Sequence, residues 1–443
     1  MIEHLRNLKP YKKFSPKVPV YEATPENRAF IHRFYDTSPI SPSGRYIAVT
    51  EFLFESRSPS AGDIAFVCVF DLATQSEVYK KETEAWDSQV GCHAQWGSDD
   101  SELFFNVIGA DQNPHGLKVN IFTGTEYPLH GCIYMVSADG KLSISPCLIR
   151  ISQVQAGYGV KVHKDALKKY KHDPDKDGIF ITNTKTGERQ LLLSLREIVQ
   201  EIQSNGKYSY LDPNRLFVFH LKWNYDSSKI MAILRHSSPR RKHNKSKNFL
   251  IVMDRDGTNI KLLVSPEQWI GGHHPTWCPN GNDIVMNLNS YYTKSKLLIC
   301  ADLLIEKIFR KLKIKYTSRV KKLSFTLIDT KTGKASPVAI NCSGSGHPTT
   351  DPTQRYILTD AYPNESVSFG DGTVPIRLID IASGLEHCLI RIKTLPSFTG
   401  KDLDMRVDPH PAWDRSGKAI VFNAYPNGKR QVFIADMSQI CLE

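Results

Sequence analysis

Along most of this chain, apolar and polar positions alternate in short runs that break at Asp, Asn or Gly, the signature of half-buried strands joined by tight turns. The runs are organised into a degenerate repeat. Each copy opens with a small or polar lead-in, often His-x-x-Trp, passes a turn and continues into an alternating strand. The copies begin at Ser38-Pro-Ile-Ser-Pro, His93-Ala-Gln-Trp96, Tyr134-Met-Val-Ser, His220-Leu-Lys-Trp223, His274-Pro-Thr-Trp277, His347-Pro-Thr-Thr350 and His410-Pro-Ala-Trp413, seven in all. A second signature follows most of them, as in Val67-Cys-Val-Phe-Asp, Ile179-Phe-Ile-Thr-Asn, Leu250-Ile-Val-Met-Asp, Phe325-Thr-Leu-Ile-Asp and Ile376-Arg-Leu-Ile-Asp. Its Asp-Gly and Thr-Gly turns are hairpin chemistry.

Paired hairpins at this spacing predict four-stranded blades, hence an all-β, seven-bladed β-propeller with short helical insertions. A β-sandwich array is the competing architecture. The chain reads as a single propeller domain over 1–443, with residues 1–37 supplying a strand that closes the ring against an open sheet edge. Leu195-Arg-Glu-Ile-Val-Gln-Glu-Ile has apolar residues at helical spacing. The stretch from Ala301 to Ile314 predicts an amphipathic helix or extended hairpin with a basic face.

Composition narrows the class. The 443 residues are 40% hydrophobic and 23% charged, which is ordinary for a folded globular chain. No apolar run is long enough to span a bilayer, and the start lacks the apolar core of a signal peptide, so the expected location is cytoplasmic or unassigned. Nine scattered cysteines without a CxxC predict reduced, buried thiols. The net charge of +11 favours an anionic partner.

Candidate chemistry follows from the repeat. The lead-in residue of an innermost strand points at the propeller axis, so His93, His220, His274, His347 and His410 converge. Of these, His220, His274, His347 and His410, together with Asp408, form an N/O ligand set suited to Zn²⁺ or Mn²⁺, and Cys278 is an alternative ligand. A second group in the first half comprises His93, His115 and Tyr158. Tyr158 has Gly on both sides and a lysine-rich flank that includes Lys169, Lys171 and Lys176. The chain has no GxSxG elbow, P-loop or dinucleotide fingerprint, and no evident carboxylate pair for glycoside hydrolysis. Histidines, a tyrosine and cations fit β-elimination from a uronate: a base takes the proton α to the carboxylate, cations neutralise that carboxylate and an acid protonates the leaving oxygen.

Several segments resemble propeller-type polysaccharide lyases, which include the seven-bladed ulvan lyases and, more distantly, the oligogalacturonate lyases. They are Ser345-Gly-His-Pro-Thr-Thr-Asp-Pro, Ile376-Arg-Leu-Ile-Asp-Ile-Ala-Ser-Gly, Val407-Asp-Pro-His-Pro-Ala-Trp-Asp and Gly428-Lys-Arg-Gln-Val-Phe-Ile-Ala-Asp. The resemblance implies catalytic roles for His93, His115 and Tyr158, and a metal held by His347 and the Asp408-x-His410 pair. It departs at the arginine such lyases use, because residues 161–177 contain only lysines as strong bases, leaving Lys169, Lys171 and Lys176 to bind the carboxylate. The expected function is therefore a lyase acting on an acidic poly- or oligosaccharide, with no membrane partner. The alternative is a non-catalytic propeller of TolB or WD type that serves as a protein-interaction or carbohydrate-binding platform. Nucleic-acid binding through Arg240–Lys247 and Arg310–Lys315 is a weaker reading, since no aromatics interleave with the charges.

Overall fold

The computed structural model describes residues 3–204, 206–237, 246–291, 295–312, 318, 320–394, 405–438 and 440. Seven antiparallel sheets surround a central channel, as the repeat predicts. The innermost strands, in blade order, are Ala29–Ile31, Gln95–Trp96, Met135–Val136, Leu216–Trp223, Gly272–Trp277, Thr349–Thr350 and Ala412–Trp413. Blades one to six each run outward through consecutive strands. The seventh is completed from the other end of the chain. Val20–Glu22 pairs with Gln431–Asp436 in the register Val20 to Ala435, and Lys9–Pro10 adds an outer strand. The closing strands thus end at Glu22, while Ala29–Ile31 opens blade one.

Adjacent blades pack face to face, so the central strands bury both of their faces; every residue of Tyr46–Phe52, Leu216–Trp223 and Thr373–Asp380 is buried. The His-x-x-Trp motif has a structural meaning in this packing. Trp96 donates its indole N–H to the Pro39 carbonyl at 2.8 Å, and Trp277 donates to that of Lys222 at 3.2 Å. Each tryptophan therefore pins its blade to an earlier one. The helix over Leu195–Gln203 forms as expected, opened by a reciprocal capping box between Ser194 and Glu197. Two short helices, Leu148–Val154 and Lys164–Lys169, were not anticipated.

No disulfide links the described cysteines, and Cys300 is exposed where a buried thiol was expected. The basic stretch 240–245 and the residues 313–317 lie outside the described residues, as does Cys441.

Candidate functional site

The segment after Ala29–Ile31 does not continue along blade one. Residues 32–38 reach into the channel before Ile40 bridges back to Ile47. Phe34 sits at the centre, its ring 5.5 Å from that of His220, 6.4 Å from His274, 5.9 Å from His347 and 4.6 Å from His410. Beneath it Tyr35, Asp36 and Lys222 form a floor. Lys222 donates to the Tyr35 hydroxyl and pairs with Asp36, both at 2.8 Å, and Arg33 closes on the other Asp36 oxygen at 2.8 Å. Below that floor opens a cavity of about 470 Å³ lined by Trp96, Trp223, Trp277 and Trp413. The plug thus divides the channel into a histidine end and a tryptophan end.

At the histidine end the expected convergence is present. His93, His274 and His410 all adopt left-handed backbone (φ 61°, 60° and 48°), a conformation that costs a non-glycine residue about 1–2 kcal/mol. The same strain at equivalent positions of three blades turns each imidazole toward the axis. His347 reaches the axis by another route. The left-handed residue there is Gly346, where a Cβ would lie 2.2 Å from the Asp360 carbonyl oxygen, so no other residue fits.

One ligand atom from each of His347, Asp408 and His410 lies within 4.8 Å of the others, and all three residues are buried. Asp360 organises this group. Its carboxylate meets His347 Nδ1 at 2.9 and 3.0 Å and accepts the backbone N–H groups of His347 (2.7 Å) and His410 (3.0 Å). The bond to Nδ1 leaves Nε2, which has only a long 3.5 Å contact to the Tyr362 hydroxyl, as the ligand nitrogen, the arrangement by which carboxylates orient metal-binding histidines. Arg406 Nε holds Asp408 at 2.8 Å. Neither ring nitrogen of His410 has a hydrogen-bond partner although the residue is 2% exposed. A buried orphan imidazole beside a carboxylate is a donor set that fits a divalent cation such as manganese.

The remaining expected ligands stand apart from this trio to different degrees. His274 packs against His347 with ring centroids 4.0 Å apart and the planes tilted by 51°, and its Nε2 bonds the Tyr362 hydroxyl at 2.8 Å. His220 is tied through Nδ1 to the Tyr134 hydroxyl. Cys278 is fully buried in an apolar cluster, and burial pushes its thiol up to about 12, which disfavours a thiolate ligand.

Tyr158 is delivered to the same end by the turn after Leu148–Val154. There Gly159 donates its N–H to Asp87 at 2.8 Å, and a Cβ on Gly159 would strike the Leu148 carbonyl at 2.5 Å. The Tyr158 ring packs edge-on to Phe219 at 5.0 Å and His220 at 5.7 Å. Burial raises its phenol well above the ordinary 10, while nearby Arg406 and Arg235 pull the other way. A groove of about 440 Å³ lined by Asp87, Gln155, Lys161 and Tyr158 leads outward from it.

His93 is buried, with neither ring nitrogen bonded and Asp87 3.8 Å away. His115 is not brought to this cluster. It lies on the third strand of blade two, its Nε2 bonded to Asp111 at 2.8 Å, beside a groove whose walls include Glu82, Glu84, Asp111 and Glu126. Lys169, Lys171 and Lys176 are exposed, and Lys176 stands 3.7 Å from Asp173. The guanidinium groups near Tyr158 come instead from Arg235 and Arg406. Arg235 bonds Gln155 and lies over the Phe219 ring at 3.9 Å. Neither arginine was singled out from the sequence, because both fall outside the lead-in tetrads. Arg406 precedes His410 by four residues, and Arg235 is the penultimate residue of the second strand of blade four, opposite Phe217.

Asp87 provides a pH test of this wall. Burial raises its carboxyl from 3.8 to about 7, against opposing N–H bonds from Val90, Gln89 and Gly159. The folded state then keeps a proton that the unfolded chain releases. The stabilisation is complete below about 3.8 and is lost as pH rises through about 7. Tm is expected to decline from about pH 5 to about pH 7.5, with a shallower decline in Asp87→Asn. Identical slopes in the two proteins would show that Asp87 is not the group responsible.

No protein-family model matches the sequence, and a search of curated proteins finds no relative. Solved structures do match. An oligogalacturonate lyase in complex with manganese superposes with a TM-score of 0.60 at 16% identity, covering 98% of this chain and 96% of that one. An oligogalacturonate lyase from Vibrio parahaemolyticus gives 0.59 at 13% identity, covering 97% and 96%. A TolB from Acinetobacter baumannii matches less well, at 0.38 and 9% identity over 86% and 78%. At these identities the likeness to the two lyases establishes a common architecture, the seven-bladed propeller, over nearly the whole of each chain.

Proposed function

We propose that this protein is a lyase that cleaves an acidic, uronate-containing oligosaccharide by β-elimination, with a divalent cation, manganese foremost, held by His347, Asp408 and His410. The observation that carries this reading is the meeting, at one end of one channel, of that ligand trio with a buried tyrosine, with Arg406 held on the trio's Asp408 and Arg235 over the Phe219 ring that packs against the tyrosine. The manganese-bound oligogalacturonate lyase of the same fold supports it.

When bound, the cation supplies Lewis-acid polarisation of the uronate carboxylate. Arg406 and Arg235 give that carboxylate a cationic seat, taking the role first assigned to the exposed lysines. Guanidinium forks suit a carboxylate better than ammonium groups do. His220 is the proposed base. Burial and the nearby charge of Lys222 keep its imidazole neutral, the form that accepts a proton, and an incoming anion raises its basicity. It removes the proton α to the carboxylate, and those electrons form the new C=C bond as the bond to the leaving oxygen breaks. Tyr158 then protonates that oxygen. Its raised pKa suits a proton donor and not a phenolate base.

The test is a spectrophotometric assay on saturated oligogalacturonate and other uronate oligomers with Mn²⁺ supplied. The expected result is growing ultraviolet absorbance from an unsaturated uronate end. A panel of uronates that yields no such product would overturn the reading in favour of a non-catalytic propeller.

A further inference from the structure

Between the second and third strands of blade five, the helix Lys296–Lys311 is amphipathic in the inverted sense. Leu297, Ala301, Leu304, Ile308 and Leu312 recur at the spacing of one helical face, and that face looks into solvent. Leu297 is 84% exposed, Leu304 59%, Ile308 46% and Leu312 61%. Leu298 and Ile305 widen the stripe. The acids turn the other way. Asp302 is buried and accepts a hydrogen bond from Ser318 Oγ at 2.7 Å, and Glu306 accepts one from Lys321 Nζ at 3.3 Å. A helix that simply covers the protein would bury its leucines and expose its acids. A contiguous stripe of this kind marks an interaction surface.

Charge identifies what it meets. Residues 294–322 hold ten Lys and Arg against only Asp302 and Glu306, a surplus of eight within a chain whose whole net charge is +11. Two copies meeting through this helix would bring two cation-rich stretches of sequence together. A nucleic acid would match the charge and leave the leucines in water. An anionic lipid surface satisfies both features, taking the aliphatic stripe at the acyl boundary and the lysines at the headgroups. At about 1.5 Å per residue the helix is roughly 24 Å long, too short to span a hydrocarbon core of about 30 Å, so it would lie on the surface. No described helix is long and apolar enough to cross a membrane.

We propose that the helix Lys296–Lys311 docks this protein peripherally on an anionic lipid bilayer. The inference is independent of the lyase reading. It revises the expectation of no membrane partner, which rested on the lack of a spanning segment.

Vesicle flotation of the full chain tests it, comparing phosphatidylcholine alone with phosphatidylcholine containing about one third phosphatidylserine. Flotation is expected only with the anionic vesicles, weakened at least about tenfold in about 0.5 M salt and, independently, by L304E/I308E. Both side chains are exposed, so the variant should keep the wild-type circular dichroism and Tm, and a folded variant makes the comparison decisive. Absence of flotation with anionic vesicles, or equal flotation of variant and wild type, would overturn the proposal. A wild-type dimer that L304E/I308E splits, seen by sedimentation, would also overturn it, because a second copy would then own the face.

Discussion

Replacing His410 by alanine is expected to lower kcat/KM on a uronate oligosaccharide by at least about 10³-fold with Mn²⁺ supplied, and to remove manganese from the purified protein. The size follows from the several kcal/mol that a metal ion contributes to charge stabilisation in a transition state, at tenfold per 1.36 kcal/mol. His410 contributes two unpartnered buried ring nitrogens and sits with His347 and Asp408 inside 4.8 Å, so its loss opens the trio. Asp360→Asn should be milder, a fall of about 10–100-fold, because the three ligands remain while the bond that fixes the His347 tautomer and one of the acceptor oxygens for the His347 and His410 backbone N–H groups are weakened or lost. His115→Ala should leave turnover within about twofold of wild type, since its partner is Asp111, off the channel. Steady-state kinetics and elemental analysis of the three proteins give the answer. A fully active His410→Ala enzyme with bound manganese would place the metal elsewhere.

The contrast between His410 and His115 shows what the sequence could reveal about this site. The repeat register carried the axis-facing histidines of five blades, because a lead-in residue has one destination once the ring closes. His115 was grouped with His93 and Tyr158 through family likeness and spacing, and spacing does not distinguish a third strand from an innermost one. Arg235 and Arg406 were invisible for a related reason. Each reaches the channel from the end of a strand or a linker, where side-chain direction depends on blade twist and not on a local motif.

The plug was the larger omission. Residues 32–37 read as the last of a closing segment and Ser38 as the start of the first copy, yet His32, Arg33, Phe34 and Tyr35 are all buried. Nothing in their alternation announces that a strand will leave its sheet and cross a channel. Their composition fits the destination: aromatics for the axis, and one acid placed between Arg33 of the same segment and Lys222 of blade four.

That acid carries the largest expected effect on stability. Asp36 bridges Arg33 and Lys222 with all three side chains 2% exposed, and the two cations hold its carboxyl well below the ordinary range against a strong burial effect. Asp36→Asn leaves two buried cations facing a neutral amide, and removing one partner of a buried ion pair costs about 3–5 kcal/mol. Lys222→Met should cost less, because Arg33 still neutralises Asp36 at 2.8 Å and the methionine retains much of the packing against Tyr35. Combining Asp36→Leu with Lys222→Met should recover part of the loss, as apolar replacements of buried ion pairs often do, with Arg33 as the remaining uncompensated charge. Urea unfolding of the four proteins tests this order. If Asp36→Asn were no less stable than Lys222→Met, the floor would owe its rigidity to the aromatic packing of Phe34 and Tyr35 and not to the charges beneath them.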